Sequence, residues 1–336
     1  MTTNEFTDNY SAEPSVPPGD ELNPLQKIEI ISIDILDHQR IMVDELKQLA
    51  NSLKLEFGWH YLLDLTWIIN ELGVIKGKEI MDAGAGIGVM QWYLANHNVH
   101  VFSVDRESRA DLPLRFRSNF YVDGLRKSDL LPSIQVVANN FKTDESNIEV
   151  RSPSRRLIKF GRDLLTCTRL AFADNVPIFD NRGDKGRVTI YNQDLKHLGE
   201  IEDNILDAVV AVSALEHNTP DGLVQVVQEM MRVLKPGGVL LASLNAARDQ
   251  DWWHKASSGW CYTDTSLRKI FDLPSHTPSN FDQYDKLFTA LQNSTELRTN
   301  LARFYFQSGD NGMPWGKWDP KYQPLGICKV KGSQDL

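Results

Sequence analysis

The sequence predicts an α/β protein: a doubly wound, mostly parallel sheet with helices on both faces and a large insertion after the second strand. Three observations carry that expectation. Short apolar runs alternate with helix-patterned segments over residues 59–106 and again over 187–244, and such alternation builds parallel sheets. The run Glu79-Ile80-Met81-Asp82-Ala83-Gly84-Ala85-Gly86-Ile87-Gly88 passes from an apolar strand through bare glycines into a helix start at Val89. Glycine there permits positive φ and lets a ligand approach, and the helix start offers free N–H groups. Finally, Asp82, Asp105, Asp194 and Ser213 each follow a strand-like run, and ligands on such sheets gather beyond the carboxyl ends of the strands.

The elements follow in order. Residues 1–24 are polar and acidic with Pro14, Pro17, Pro18 and Pro24, which reads as a mobile tail. Met42, Val43, Leu46, Leu49, Ala50 and Leu53 mark a helix from about His38 to Leu53, broken at Glu56-Phe57-Gly58. A second helix runs from about Trp59 to Leu72, with Gly73 where a C-terminal cap belongs. Its opening Trp59-His60-Tyr61 reads either as packing or as closure over a ligand. The glycine unit and its helix cover residues 78–97, and the next strand, Val99 to Val104, ends at Asp105.

Residues 107–186 are too long for an ordinary connection and are expected to form an insertion or lid subdomain between core segments 25–106 and 187–331. The stretch from Arg106 to Arg187 has a net charge of +5, whereas the remainder has −14. Arg155, Arg156, Lys159, Arg162 and Arg169 share one expected helix with Leu157, Phe160, Leu164 and Leu165. Such a helix suits a solvated lid with its apolar side docked, an anionic ligand, or a peripheral membrane contact.

Regular alternation resumes with the strand Arg187 to Tyr191, leading to Asn192-Gln193-Asp194-Leu195, and with Ile205 to Val212, ending at Ser213-Ala214-Leu215-Glu216-His217. Thr219 is a plausible N-cap with Pro220 at the first helical position. Leu223, Val226, Val227, Met230 and Leu234 form that helix's stripe, and Lys235-Pro236-Gly237-Gly238 stops it. A strand from Val239 to Leu244 follows, then an aromatic loop holding Trp252, Trp253, His254, Trp260 and Tyr262. Helices are expected near 266–271 and up to Leu301, with last strands near Arg303–Phe306 and Leu325–Val330.

Composition narrows the function. The 336 residues hold a net charge of −9, so no global basic field draws nucleic acid. No apolar run reaches transmembrane length. Cys167, Cys261 and Cys328 lie far apart, without disulfide or metal spacing, which fits a reducing, cytoplasmic setting and no metal site.

The glycine unit reads G-x-G-x-G, with Val89 at the third glycine position of a dinucleotide fingerprint. That tilts the reading from a nicotinamide oxidoreductase towards a nucleoside without a pyrophosphate. Five pieces occur in one order: Asp82-Ala83-Gly84-Ala85-Gly86-Ile87-Gly88, Asp105, Gln193-Asp194-Leu195, Ser213 to His217, and Leu234 to Gly238. In that order they resemble the Rossmann-like S-adenosylmethionine-dependent methyltransferases. The resemblance implies seven strands with the last antiparallel, S-adenosyl-L-methionine as cofactor, and a cofactor site of Asp82, Ala83, Gly84, Gly86, Asp105, Arg106, Gln193, Asp194, Leu195 and Ser213. Within it Asp82 would orient the amino group, Asp105 the ribose hydroxyls and Asp194 the adenine amine. Arg106 would flank the adenine, and Leu195 would offer a backbone N–H.

The acceptor is expected to be a small molecule such as a sugar, a lipid-linked compound or a secondary metabolite, with O-methylation favoured. A hydroxyl acceptor calls for a general base; His217 and His254 are the candidates, each with a structural alternative. Glu216 is a third candidate or a turn-shaping residue. Trp252, Trp253, Trp315 and Trp318 could wall an acceptor or pack under a long loop. A non-catalytic scaffold or nucleoside binder is the second reading.

Overall fold

The computed structural model describes residues 26–146, 153–175, 182–304 and 318–332; the expected tail and Trp315 lie outside them. In chain order the elements are β1 (Lys27–Ile30), α1 (Ile35–His38), α2 (Arg40–Leu53), α3 (Tyr61–Leu72), β2 (Glu79–Ala83), α4 (Val89–Asn96), β3 (His100–Asp105), α5 (Leu114–Arg117), β4 (Tyr121–Gly124), α6 (Ser133–Ser146) and α7 (Pro153–Asn175). Then come β5 (Arg187–Asn192), β6 (Leu206–Val212), α8 (Pro220–Val233), β7 (Leu234–Ala246), β8 (Trp252–His254), β9 (Gly259–Tyr262), α9 (Asp264–Ile270), α10 (Tyr284–Gln292), α11 (Thr295–Phe304) and β10 (Gln323–Val330).

The strands form one sheet in the order β1-β10-β7-β6-β2-β3-β5-β4, with β9 beside β7 and β8 beside β9. All contacts from β7 through β4 are parallel, whereas β10 runs antiparallel to β7 and β1 antiparallel to β10. From β2 the chain first winds outward through β3, then returns to lay β6 and β7 on the other side. The order therefore reverses between β2 and β6, which opens a crevice beyond their carboxyl ends.

Apolar side chains leave both faces of the sheet. On one face Ile80, Val101, Val210 and Leu241 meet Leu46, Leu62, Ile68, Met90 and Leu94 of α2, α3 and α4. On the other Met81, Val104, Val209 and Leu240 meet Leu223, Val226, Met230 and Leu267 of α8 and α9. Thr219 caps α8 as its sequence predicts, its hydroxyl accepting from Gly222 N–H at 3.2 Å. Gly73 ends α3 at φ +59°. Gly326 on β10 faces Trp67 of α3 so closely that a Cβ there would lie 2.4 Å from the indole.

Several expectations are corrected. Among the described residues the sheet has ten strands, not seven. Four strands are additional: β1, an antiparallel edge, the hairpin β8–β9 in place of an aromatic loop, and β4, which pairs with β5 from within 107–186; one expected strand, near 303–306, is not among those described. Part of the insertion thus belongs to the sheet. Leu234 begins β7 rather than ending α8, and the Pro236-Gly237-Gly238 stretch is carried inside that strand. Arg303 and Phe304 belong to α11, not to a strand. Among the described residues no helix is long and apolar enough to cross a membrane. The three cysteines are buried and none is in a disulfide.

Candidate active site

Beyond the ends of β2, β3 and β6 lies a cavity of about 390 Å³, within the range of roughly 300–1,000 Å³ typical of small-molecule sites. Its walls carry Asp82, Gly84, Gly86, Asp105, Asp194 and Ser213 together. Arg106, Leu195 and His217 also line it. Ala83, buried within β2, and Gln193, whose N–H donates to the Asp105 carbonyl at 2.8 Å, do not.

The floor is the glycine turn. Gly84 and Ala85 N–H groups donate to the Val104 carbonyl at 2.9 and 3.0 Å, which stitches the turn to β3. Gly84 has φ +72°, and a Cβ there would sit 2.4 Å from Ala214 Cβ. Its bareness lets the loop after β6 close against the turn. Gly86 has φ +48°, and a Cβ there would meet nothing nearer than Asp105 Oδ2 at 4.0 Å. Its bareness leaves cavity space instead.

Two residues that the sequence reading missed hold this turn. Gln91 Nε2 donates to the carbonyls of Ala85, Gly86 and Gly88 at 3.3, 3.3 and 3.2 Å, and its Oε1 accepts from Ser103 Oγ at 2.7 Å. The buried Arg109 donates to Gly86 O at 3.1 Å, Ser103 O at 2.7 Å and Tyr191 O at 3.2 Å. Apart from the Ser103 hydroxyl, which both residues share, each partner is a backbone carbonyl brought there by the fold. No spacing in the sequence announces either residue.

The three carboxylates occupy different surroundings. Asp82 is 2% exposed, and its Oδ2 has no hydrogen-bond partner. Burial pushes its carboxyl up to about 7, with nearby Arg109 opposing the shift and Asp105 adding to it. A buried carboxylate oxygen without a donor is costly unless a cation or donor reaches it. Asp105 already accepts from Gly86 N–H on one oxygen and Glu107 N–H on the other, both at 2.8 Å. Each carboxylate oxygen has a second lone pair, so both still accept. Asp194 is exposed, and its Oδ1 accepts from Lys196 N–H at 2.9 Å.

The far wall is built from β6 and α3. Ser213 takes φ +45°, a left-handed conformation that a non-glycine residue adopts at some cost. Its N–H donates to Ser243 Oγ at 3.0 Å, and its hydroxyl donates to the buried Glu216 carboxylate. The other Glu216 oxygen has no partner, and burial raises this group's pKa. Tyr61 lines the wall with Phe57 and Leu65. Of the Trp59-His60-Tyr61 trio, then, the first two are core and the third faces the cavity. His217 Nδ1 lies 2.8 Å from the Ser258 carbonyl. A carbonyl only accepts, so Nδ1 holds the proton and Nε2 keeps its lone pair in the neutral ring.

The structure places the other acceptor-side candidates elsewhere. His254 is outside the lining set, with Nδ1 2.7 Å from Ser257 Oγ and its ring edge-on to Tyr322 and Trp252. Burial and nearby Lys321 lower its pKa. Trp252 and Trp318 pack against the main core, Trp318 edge-on to Trp59 at 5.8 Å, and Trp253 stands 44% exposed. None of these three walls the cavity: Trp252 and Trp318 are drawn to the core around Trp59 and Tyr322, and Trp253 lies against Trp260.

The site fits a cationic, amino-bearing nucleoside: an orphaned buried carboxylate at one end, an acceptor-rich carboxylate beside a bare glycine, and, among the described residues that line it, Arg106 without a second arginine or lysine to cradle a phosphate. Comparisons with known proteins agree. Residues 165–242 match the model of a methyltransferase domain. Among solved structures the chain is similar to a Galdieria sulphuraria protein assigned as a sarcosine dimethylglycine methyltransferase, at 17% identity over 80% of this chain and 84% of that one, TM-score 0.40. It is similar to the Burkholderia thailandensis 1,6-didemethyltoxoflavin-N1-methyltransferase at 13% identity, covering 88% and 90%, TM-score 0.40. It is also similar to phosphoethanolamine N-methyltransferase 2 of Haemonchus contortus at 13% identity, covering 89% and 60%, TM-score 0.42. None of the curated proteins compared matches the chain. Likenesses this distant add no weight; what the comparisons establish is that residues 165–242 match a methyltransferase domain, within a sheet that places its switch point at the cavity.

Proposed function

We propose that the cavity takes S-adenosyl-L-methionine in one orientation and that the acceptor is a small molecule methylated on a hydroxyl oxygen. One observation carries the reading: three carboxylates from three separate strand tips line one hollow over a bare glycine bend. Asp82 receives the amino group, Asp105 both ribose hydroxyls, and Asp194 the adenine amine with the Leu195 N–H beside it. Arg106 covers the adenine edge. Gly84 and Gly86 pass beneath the methionine part, and Ser213 stands near the sulfur.

When bound, this cofactor supplies an electrophilic methyl on a positively charged sulfur. The chain's own task is alignment of a nucleophile and exclusion of water. Phe57, Tyr61 and Leu65 close the α3 side. His217 Nε2, its lone pair fixed by the Nδ1 contact, takes the acceptor's hydroxyl proton; this geometry supports O-methylation over a substrate that needs no base. The net acidity of the chain supports a small acceptor over nucleic acid, and the three buried thiols support a reducing, cytoplasmic setting.

Calorimetry with S-adenosylhomocysteine tests the reading. Micromolar affinity is expected, about −7 to −8 kcal/mol. Failure of both that compound and S-adenosylmethionine to bind pure protein would favour a scaffold with a retained fold.

A further inference from the structure

We propose that the outer face of α7 is a docking surface for an anionic membrane. The helix has 23 residues, about 35 Å at 1.5 Å per residue. One side is spent inward. Cys167 and Leu170 pack with Leu114 of α5 and Val137 of α6, with Phe160 against them, and the Phe160 ring lies 4.8 Å from Phe141. The opposite side carries Leu157, Ile158, Leu164 and Leu165, which are 64%, 70%, 38% and 63% exposed. Of the readings open for this helix, a lid with its apolar side docked would bury Leu157, Leu164 and Leu165; the structure turns them outward.

The spacing makes these four a patch. At 100° per residue, positions 157, 158, 164 and 165 fall within an arc of about 120°, with only Gly161 and Thr168 between them among the residues whose side chains are described. Arg162 and Arg169 flank one margin of that arc and are exposed. The side chains of Arg155 and Arg156 lie outside the described residues. A surface that presents four large aliphatic side chains together is an interaction site more often than an accident.

Charge selects the occupant. The stretch from Arg106 to Arg187 is net +5 on a chain whose remainder is net −14. A second copy docking through this face would set two like-charged arginine margins beside each other. An anionic lipid surface satisfies both the aliphatic arc and the arginines at its margin. The arrangement is that of an amphipathic helix lying in the interface plane. The inference does not depend on the acceptor or the cofactor assignment.

The test is flotation of the full chain with phosphatidylcholine vesicles and with phosphatidylcholine–phosphatidylglycerol vesicles. Partition onto the anionic vesicles should be at least about tenfold stronger, since each basic side chain near the surface contributes to it, and it should weaken as salt is raised. The pair Ile158→Glu and Leu165→Glu should abolish partition while S-adenosylhomocysteine binding stays unchanged, which shows the variant is folded. Arg162→Ala with Arg169→Ala should remove the preference for anionic lipid. No partition onto either vesicle overturns the proposal. So does partition that survives the glutamate pair. A dimer in sedimentation equilibrium that the glutamate pair dissolves, without vesicle binding, would make the face a contact between copies and also overturns it.

Discussion

Asp82 makes the strongest quantitative demand on the site. Its carboxyl is buried, one oxygen lacks a partner, and its pKa stands at about 7. The charged groups that act on it are Arg109, which favours the ionised form, and Asp105, which opposes it. An ammonium group arriving at Oδ2 needs the ionised form. At pH 6 about nine-tenths of the free protein would hold the proton, so binding would cost ~1.4 kcal/mol more than at pH 8, about a tenfold weaker Kd. Calorimetry with S-adenosylhomocysteine in buffers of different ionisation enthalpy reads both quantities. Release of about 0.9 proton per ligand is expected at pH 6 and about 0.5 at pH 7. The sign for stability follows. This carboxyl's folded value lies above its unfolded value, so the free protein loses stability as pH rises from about 4 to about 7. The ligand offsets that loss by pairing with the charge. Asp82→Asn should bind weakly with no pH dependence across this window. A flat affinity for the wild-type protein, with no proton release, would refute the ammonium assignment.

Four other outcomes are expected. Asp105→Asn keeps one acceptor oxygen and loses the other, so S-adenosylhomocysteine should bind about 10–100-fold more weakly by calorimetry, the ~1.5–3 kcal/mol of hydrogen bonds to a charged group; unchanged affinity removes the ribose assignment. Gly86→Ala places a methyl in open cavity space at φ +48°, so it should weaken ligand binding more than it lowers Tm. Gly84→Ala drives a methyl to 2.4 Å from Ala214 Cβ, so it should lower stability in urea by about 1–3 kcal/mol, the range for overpacking. Gly326→Ala meets the Trp67 indole at 2.4 Å, far from the cavity; a similar stability loss with unaltered ligand affinity is expected, and a parallel loss of affinity would show that α3 is not the rigid wall it is taken for.

What was legible in the sequence was whatever the chain repeats locally. The glycine turn, the strand-end carboxylates and the capped α8 each announce themselves within a few neighbouring residues. The parallel order then follows from alternation and handedness. Features that depend on distant partners were hidden. The edge strand β1 has four residues and exists because Cys328 to Leu325 run beside it. The hairpin β8–β9 extends β7 through only two registered pairs. Trp252 and Trp318 read equally as a ligand wall or as packing until Trp59 and Tyr322 supply a place to bury them. Gln91 and Arg109 serve the site through backbone carbonyls, and any polar side chain of the right reach would look the same in the sequence.

The carboxylates show why position and task separate at this point. Read along the chain, Asp82, Asp105 and Asp194 are the same signal, an acid after an apolar run. Folding gives each a different environment. Asp82 is sealed beside Gln91 and Arg109, so its charge depends on pH and on what arrives. Asp105 is held by two backbone N–H groups, so its geometry is set before any ligand enters. Asp194 stands in solvent with a local N–H donor, where its interaction with a ligand is screened. The order of their importance to binding should therefore follow burial rather than sequence similarity. Asp82 and Asp105 would dominate affinity while Asp194 tunes it, so Asp194→Ala should cost less than Asp105→Asn in the same calorimetric series.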